Sequence, residues 1–341
     1  MHRFLILGYG SIGERHASHV RSSGLGEVAG VYDVSADRRA AAEKEGFPVF
    51  ESLERLLGTD ADMAIVASPN ELHSAQTCAL LRAGKHVIVE KPAALTEKEL
   101  RGMYACAGEA GRLLTVHQNR RWDSDFGAVR RVMEENLIGD VFNLESRIHG
   151  SRGIPGLWRR EASHGGGMLY DWGPHLIDQA LMAYGWREPE TVSCTLSHVL
   201  GLPVDDGFRL ELRYPGEKRA FVEVSTWSFI PLPRFYLCGS EGSACINDWR
   251  EPCRVTQYTA AVDEENARTM TERDEQTTKS FLLERPAVDH DAFLQNFCAA
   301  AEGRESLCVQ PAEALMVLRV IDAAFRSAAL SRPVRPGEMS L

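Results

Sequence analysis

Two hydrophobic rhythms divide the chain. Up to about residue 120, short apolar runs at 4–7, 28–32, 63–67, 87–89 and 113–117 alternate with segments of helical composition at 11–22, 36–45 and 71–82. Gly46 stops the second of these helices. Strands alternating with helices predict a parallel sheet covered on both faces. Beyond residue 120 the period shortens to two. Phe142, Leu144, Ser146 and Ile148 alternate with Asn143, Glu145, Arg147 and His149. Phe208, Leu210, Leu212 and Tyr214 alternate with Arg209, Glu211 and Arg213, and Ala220, Val222 and Val224 repeat the pattern. Such runs, with no helices between them, predict a largely antiparallel sheet with one face buried and one available. A helix over 126–135 leads into it, residues 250–280 read as an elaborated loop, and helices over 289–302 and 312–330 close the chain. The pattern therefore predicts an α/β protein with domains at 1–120 and 121–341.

Composition changes this picture little. With 44% hydrophobic and 25% charged residues the chain reads as an ordinary globular one. Its apolar runs are far shorter than the roughly 20 residues of a membrane span, and the first of them runs straight into Gly8-Tyr9-Gly10, which does not suit a signal peptide. The balance of 38 basic against 48 acidic residues argues against nucleic acid as a partner. Eight cysteines, none in a C-x-x-C pair, point to reduced thiols and a cytoplasmic location.

The chemistry begins at Gly8-Tyr9-Gly10-Ser11-Ile12-Gly13, a G-x-G-x-x-G placed after the first strand and opening a helix. The first glycine permits the turn, the second admits a pyrophosphate to the backbone, and the third lets helix and strand approach. Asp33, twenty residues beyond Gly13 at the end of the second strand, suits the ribose hydroxyls of NAD. Arg38 and Arg39 lie nearby and suit a 2′-phosphate, so NADP stays open. Glu90-Lys91-Pro92 follows another strand, where ligands of parallel sheets bind. An ammonium there either holds a substrate oxygen or is an ordinary surface charge. A helix starting near Gly167 sets Asp171 and His175 four residues apart on one face. An imidazole so supported suits removal of a hydroxyl proton. The two side chains are too few ligands for a metal, and none is expected.

Taken in order, the Gly8–Gly13 turn, Ala67-Ser68-Pro69-Asn70 with Leu72-His73, Glu90-Lys91-Pro92, and Gly165 with Asp171 and His175 resemble the Gfo/Idh/MocA oxidoreductases over nearly the whole chain. Residues 118–123 resemble the subgroup that contains scyllo-inositol dehydrogenases. The resemblance implies an N-terminal Rossmann domain with a doubly wound parallel sheet, and a C-terminal α/β domain with an open, predominantly antiparallel sheet. It implies catalytic Lys91 and His175, with Asp171 supporting His175, and a cis Lys91–Pro92 bond. Ser68, Pro69, Asn70 and His73 would line the nicotinamide half of the pocket, and Asn119 would lie near the nicotinamide ribose. With Gly8, Tyr9, Gly10, Ser11, Ile12, Asp33, Arg38, Glu90 and Lys91, they make up the expected cofactor site. Asp33 departs from the NADP-using inositol dehydrogenases of the subgroup.

The expected reaction is reversible hydride transfer between NAD(P) and a secondary alcohol of a polyol, sugar or sugar derivative. Lys91, Asp171 and His175 would face the substrate. Arg121, Trp122, Trp158 and Arg160 offer cationic and aromatic surfaces that suit a polyhydroxylated ligand, or serve packing and solvation instead. Two other readings keep the fold: a glycosidase that oxidises transiently with NAD, and a nucleotide-binding sensor without turnover. An open sheet face with apolar members such as Phe221 and Trp227 suggests a homo-oligomer, as the resemblance also implies.

Overall fold

The computed structural model describes residues 1–259, 275 and 277–338. Its strands are β1 (His2–Leu7), β2 (Gly26–Tyr32), β3 (Met63–Val66), β4 (His86–Val89), β5 (Leu114–Val116), β6 (Val141–His149), β7 (Thr191–Ser197), β8 (Gly207–Arg213), β9 (Arg219–Ser225), β10 (Phe235–Gly239), β11 (Gly242–Ile246), β12 (Cys253–Tyr258) and β13 (Thr278–Leu283). The helices are α1 (Ser11–Ser23), α2 (Ala36–Lys44), α3 (Leu53–Leu57), α4 (His73–Arg82), α5 (Glu97–Ala110), α6 (Ser124–Glu134), α7 (Met168–Asp171), α8 (Gly173–Ala183), α9 (Ala292–Ala301) and α10 (Pro311–Leu330).

The chain forms two compact units. Unit 1 holds Met1–Asn119, Gly156–Pro174 and Asp289–Asp322; unit 2 holds Arg120–Pro155, His175–Val288 and Ala323–Leu341. These units interleave along the chain, unlike the single division after residue 120 expected for the domains. The reason lies in side chains that sequence spacing does not pair. Thr115 Oγ1 donates to Val309 O at 3.3 Å, the Arg319 guanidinium meets Glu97 at 3.1 Å, and Phe293 packs edge-on against His117.

In unit 1 the sheet runs in the order β2-β1-β3-β4-β5 with parallel pairing throughout. Phe4, Leu5, Ile6 and Leu7 of central β1 are fully buried, as strands covered on both faces require. The strand order reverses between β1 and β3, which opens a crevice beyond the carboxyl ends of the strands. In unit 2 the order is β13-β12-β11-β10-β6-β9-β8-β7. Every pair there is antiparallel except β6 with β9.

Two expectations change here. Residues 250–280 include β12 and β13 and are not all loop; residues 260–274 and 276 lie outside the described residues. These strands are sparsely buried, and a polar cross-strand contact, Thr256 Oγ1 to Ser280 Oγ at 2.8 Å, replaces the apolar signal. Along β6, Phe142 does not share the face of Leu144 and Ser146. Gly239 pairs with Val141 and Cys238 with Asn143, so Phe142 is the extra residue of a bulge. It is exposed, whereas Val141 and Leu144 are buried. Phe142→Ser should therefore leave the unfolding free energy from urea titration within about 0.5 kcal/mol of wild type, whereas Leu144→Ala should cost about 2–5 kcal/mol.

Candidate active site

The strands of unit 1 deliver their next residues to one level. The backbone ladder continues past each strand: Gly8 N donates to Tyr32 O, Ala67 N to Leu7 O, Glu90 N to Val66 O and His117 N to Val89 O. At this level Gly8 has φ +87°, and a Cβ on it would lie 2.6 Å from Ala67 O. A Cβ on Gly13 would meet Gly8 O at 1.9 Å, whereas one on Gly10 would meet nothing within 4 Å. The outer glycines thus close the turn, and the middle one leaves its backbone open. No side chain caps the start of α1, so its first N–H groups are available to an anion. These residues fit the pyrophosphate of a dinucleotide.

Asp33 braces the turn. Its carboxylate accepts the Tyr9 N–H at 2.7 Å and the Ser35 N–H at 2.8 Å. Tyr9 contributes backbone, because its ring is buried against Phe47. Ser11 and Ile12 are exposed at the head of α1, and Arg38 is exposed on α2. The Arg39 guanidinium donates to Asp33 O and Val34 O. Beyond β3, Ser68 Oγ donates to Gln76 at 2.7 Å, and the buried His73 ring sits between Ser68 O and Pro92 O, 2.9 Å from each. Asn70 Nδ2, next to Pro69, donates to His164 O at 3.0 Å. Asn119 is exposed and ends the first segment of unit 1.

The Lys91–Pro92 bond is cis. Lys91 Nζ donates to Asp171 O at 2.8 Å and to Asp171 Oδ1 at 3.0 Å. The other carboxylate oxygen, Oδ2, accepts from Arg159 Nε at 2.7 Å. Burial pushes the Asp171 carboxyl up, but Lys91 and Arg159 more than offset this and hold it below the usual carboxylate range. Segment Gly156–Pro174 is also tied down by the hydroxyl of Tyr170, which donates to Leu95 O at 2.9 Å, and by Gln118 Nε2, which donates to Pro174 O at 3.3 Å.

Residues 2–118 match the model described as an oxidoreductase family with an NAD-binding Rossmann fold, and residues 126–245 match the GFO/IDH/MocA C-terminal domain. The chain belongs to the Gfo/Idh/MocA oxidoreductase family. It is 32% identical over 255 residues to 1,5-anhydro-D-fructose reductase of Ensifer adhaerens, spanning 71% of this chain and 75% of that one. It is 32% identical over 247 residues to the NADP(+) scyllo-inositol 2-dehydrogenase IolW of Bacillus subtilis (strain 168), spanning 70% and 66%. Among solved structures, an NAD-binding protein from Listeria innocua aligns with a TM-score of 0.92 at 37% identity, covering 99% of this chain and 98% of that one.

Within this member of the family, the expected helix through Asp171 and His175 is two helices. α7 ends at Asp171, Trp172 intervenes, and α8 resumes with Pro174 in its first turn. Proline has no N–H to continue the α7 ladder and is tolerated where a helix begins. The boundary between the units passes between Pro174 and His175. The structure thus brings Lys91 and Asp171 together in unit 1, while His175 is buried on α8 in unit 2. Asp171, expected chiefly to support the imidazole, turns its two oxygens to an ammonium and a guanidinium.

The substrate candidates divide. Arg121, in unit 2, is buried and forks onto Asp178 through Nε at 2.8 Å and Nη2 at 2.7 Å, with Trp186 under its guanidinium. Two of its donors are thus engaged by Asp178. Trp122 is half-buried, also in unit 2. In unit 1, Trp158 is half-buried beneath the Arg159 guanidinium at 4.7 Å, and Arg160 is exposed. Sequence spacing missed Arg159, because a half-buried arginine on an irregular turn has no periodic signature. The open sheet face is also more polar than expected. A cavity of about 1190 Å³ in unit 2 is lined by Glu145, Arg147, Arg209, Glu211 and Glu223 around a half-buried Phe221. His149 and Arg209 draw the Glu223 carboxyl down to about 2 against its burial.

Glu90, expected at the cofactor, is held by two histidines and by the chain next to it. Its Oε1 lies 2.7 Å from His16 Nε2 and 2.8 Å from His117 Nδ1, and its Oε2 accepts the Lys91 N–H at 3.1 Å. The three side chains gather ligand atoms within 4.8 Å, but the separations are those of hydrogen bonds. Burial pushes Glu90 up, and the facing His117 and His16 hold it well below the usual range; burial lowers His16. A depressed carboxyl stabilises the fold above its unfolded-state pKa and ceases to do so as the pH falls through the folded-state value. Wild type should lose stability more steeply than Glu90→Gln between about pH 5 and pH 3, read by urea unfolding. Arg121→Ala removes the guanidinium from buried Asp178 and should cost about 3–5 kcal/mol in the same measurement.

Proposed function

We propose that this oxidoreductase interconverts a secondary alcohol and a ketone on a polyol, sugar or sugar derivative, with NAD as the preferred cofactor and NADP accepted. The reading is carried by the Lys91 ammonium, fixed at 2.8 and 3.0 Å by Asp171 at the carboxyl end of β4. An ammonium has three donors. Two are engaged by Asp171, and the third remains for the substrate oxygen. The names of the relatives, a scyllo-inositol dehydrogenase and an anhydrofructose reductase, support the substrate class.

With the dinucleotide bound, its nicotinamide would supply the two-electron chemistry. The chain supplies the rest. Gly8, Gly10 and the start of α1 hold the pyrophosphate. Lys91 Nζ donates to the carbinol oxygen and stabilises the negative charge that develops there. His175 takes the hydroxyl proton during oxidation and returns it during reduction. Asp171 holds the Lys91 ammonium in place and aims it. Asp33 carries negative charge at the end of β2, which opposes a 2′-phosphate, while Arg38 on α2 accommodates NADP. Asp178 and Arg121 stiffen α8, which carries His175. We also assign the open face of the eight-stranded sheet to a homo-oligomer.

Lys91→Ala and His175→Ala should each lower turnover by about 100-fold or more with NAD affinity nearly unchanged. The test is initial rates of reduced-nicotinamide formation over inositols, aldoses and sugar acids. Wild-type rates in either variant would remove that residue from the mechanism. Asp33→Ala should raise the NADP-to-NAD ratio of kcat/KM.

A further inference from the structure

The mechanism above uses Asp171 but leaves open why that carboxylate points as it does. Within unit 1, a second cation answers the question. Arg159 stands in the short 3₁₀ turn Leu157–Arg160. Its Nε donates to Asp171 Oδ2 at 2.7 Å, and its own carbonyl accepts the Gly167 N–H at 3.0 Å. One residue therefore ties the turn to the start of α7 and to the carboxylate at the end of α7. Gly166 makes the closure possible: a Cβ there would stand 2.8 Å from Arg159 O and 2.9 Å from Trp158 O. The Trp158 ring, 4.7 Å from the guanidinium, supports its plane.

The geometry is one-sided. Oδ2 belongs to Arg159; Oδ1 and the main-chain carbonyl of the same residue belong to Lys91. We propose that Arg159 is a positioning residue for the reaction: by fixing Oδ2 it fixes the carboxylate plane, and so the direction in which the third Lys91 donor meets the substrate oxygen. The assignment rests on the catalytic reading of Lys91 and Asp171. Arg159 also preserves charge. Its permanently charged guanidinium adds to Lys91 in favouring the ionised form of the buried Asp171 carboxyl. Among the described residues of the unit, Lys91 and Arg159 are the charged groups that draw the Asp171 carboxyl down.

The test is kcat and KM, measured separately, in Arg159→Gln and Arg159→Lys, with NAD binding followed by fluorescence. Arg159→Gln should lower kcat about 10- to 100-fold and change KM little, because the Lys91 donor is then no longer aimed. Arg159→Lys should recover kcat only in part. NAD affinity should be unchanged in both. A rise in KM at constant kcat would overturn the proposal and make Arg159 a substrate contact. A wild-type kcat in Arg159→Gln, alongside an inactive Asp171→Asn, would overturn the role of Arg159 alone. Full activity in Asp171→Asn would overturn the reading beneath it. Should Arg159→Gln fail to fold, Arg159→Lys with an unshifted kcat would still count against the proposal.

Discussion

An ammonium held in place by a nearly buried carboxylate is the constraint around which unit 1 is arranged. Removing either charge from water is costly unless the other stands beside it with good geometry. Lys91 and Asp171 meet that condition through two hydrogen bonds from one nitrogen. They are 80 residues apart in sequence, so the fold must return segment Gly156–Pro174 to the strand ends of the parallel sheet. Asn70, Leu95 and Gln118 each bind this segment. The ion pair is the polar centre of a docking made by backbone and side chains together.

The same logic explains where polar groups accumulate. Parallel strands are apolar throughout, and their ladders end at one level. Polar residues just beyond that level find backbone groups and each other. Glu90 gathers two histidines and the Lys91 N–H, His73 sits between two carbonyls, and Asp33 accepts two backbone N–H groups. Asp33 and Glu90 therefore act first as braces of the loops that form the pocket. A brace that stiffens the glycine turn is also a cofactor determinant, because the backbone must hold its shape before the anion arrives.

Unit 2 uses charge differently. Arg121 with Asp178 and Arg234 with Asp125 at 3.0 Å are interior pairs. They add little net stability over an apolar core but penalise any packing that separates them. On the open sheet face, Arg147, Arg209 and Glu223 keep the strands polar, which suits a surface that is either solvated or matched to another copy.

Periodicity alone carried the class of both sheets, since a period of two and a βα alternation are local signals of burial. The glycine turn, Asp33, Lys91, Asp171 and His175 stood out as candidates in the sequence because backbone shape and strand-end position restrict which residue types can stand there. Other features depended on contacts far apart in sequence. These include the interleaving of the units, the break between α7 and α8, the bulge at Phe142, the burial of Arg121, and the second cation on Asp171. An arginine reads the same in a sequence whether its fork meets solvent, substrate or Asp178. Only the folded chain brings a particular carboxylate within 3 Å and decides between them.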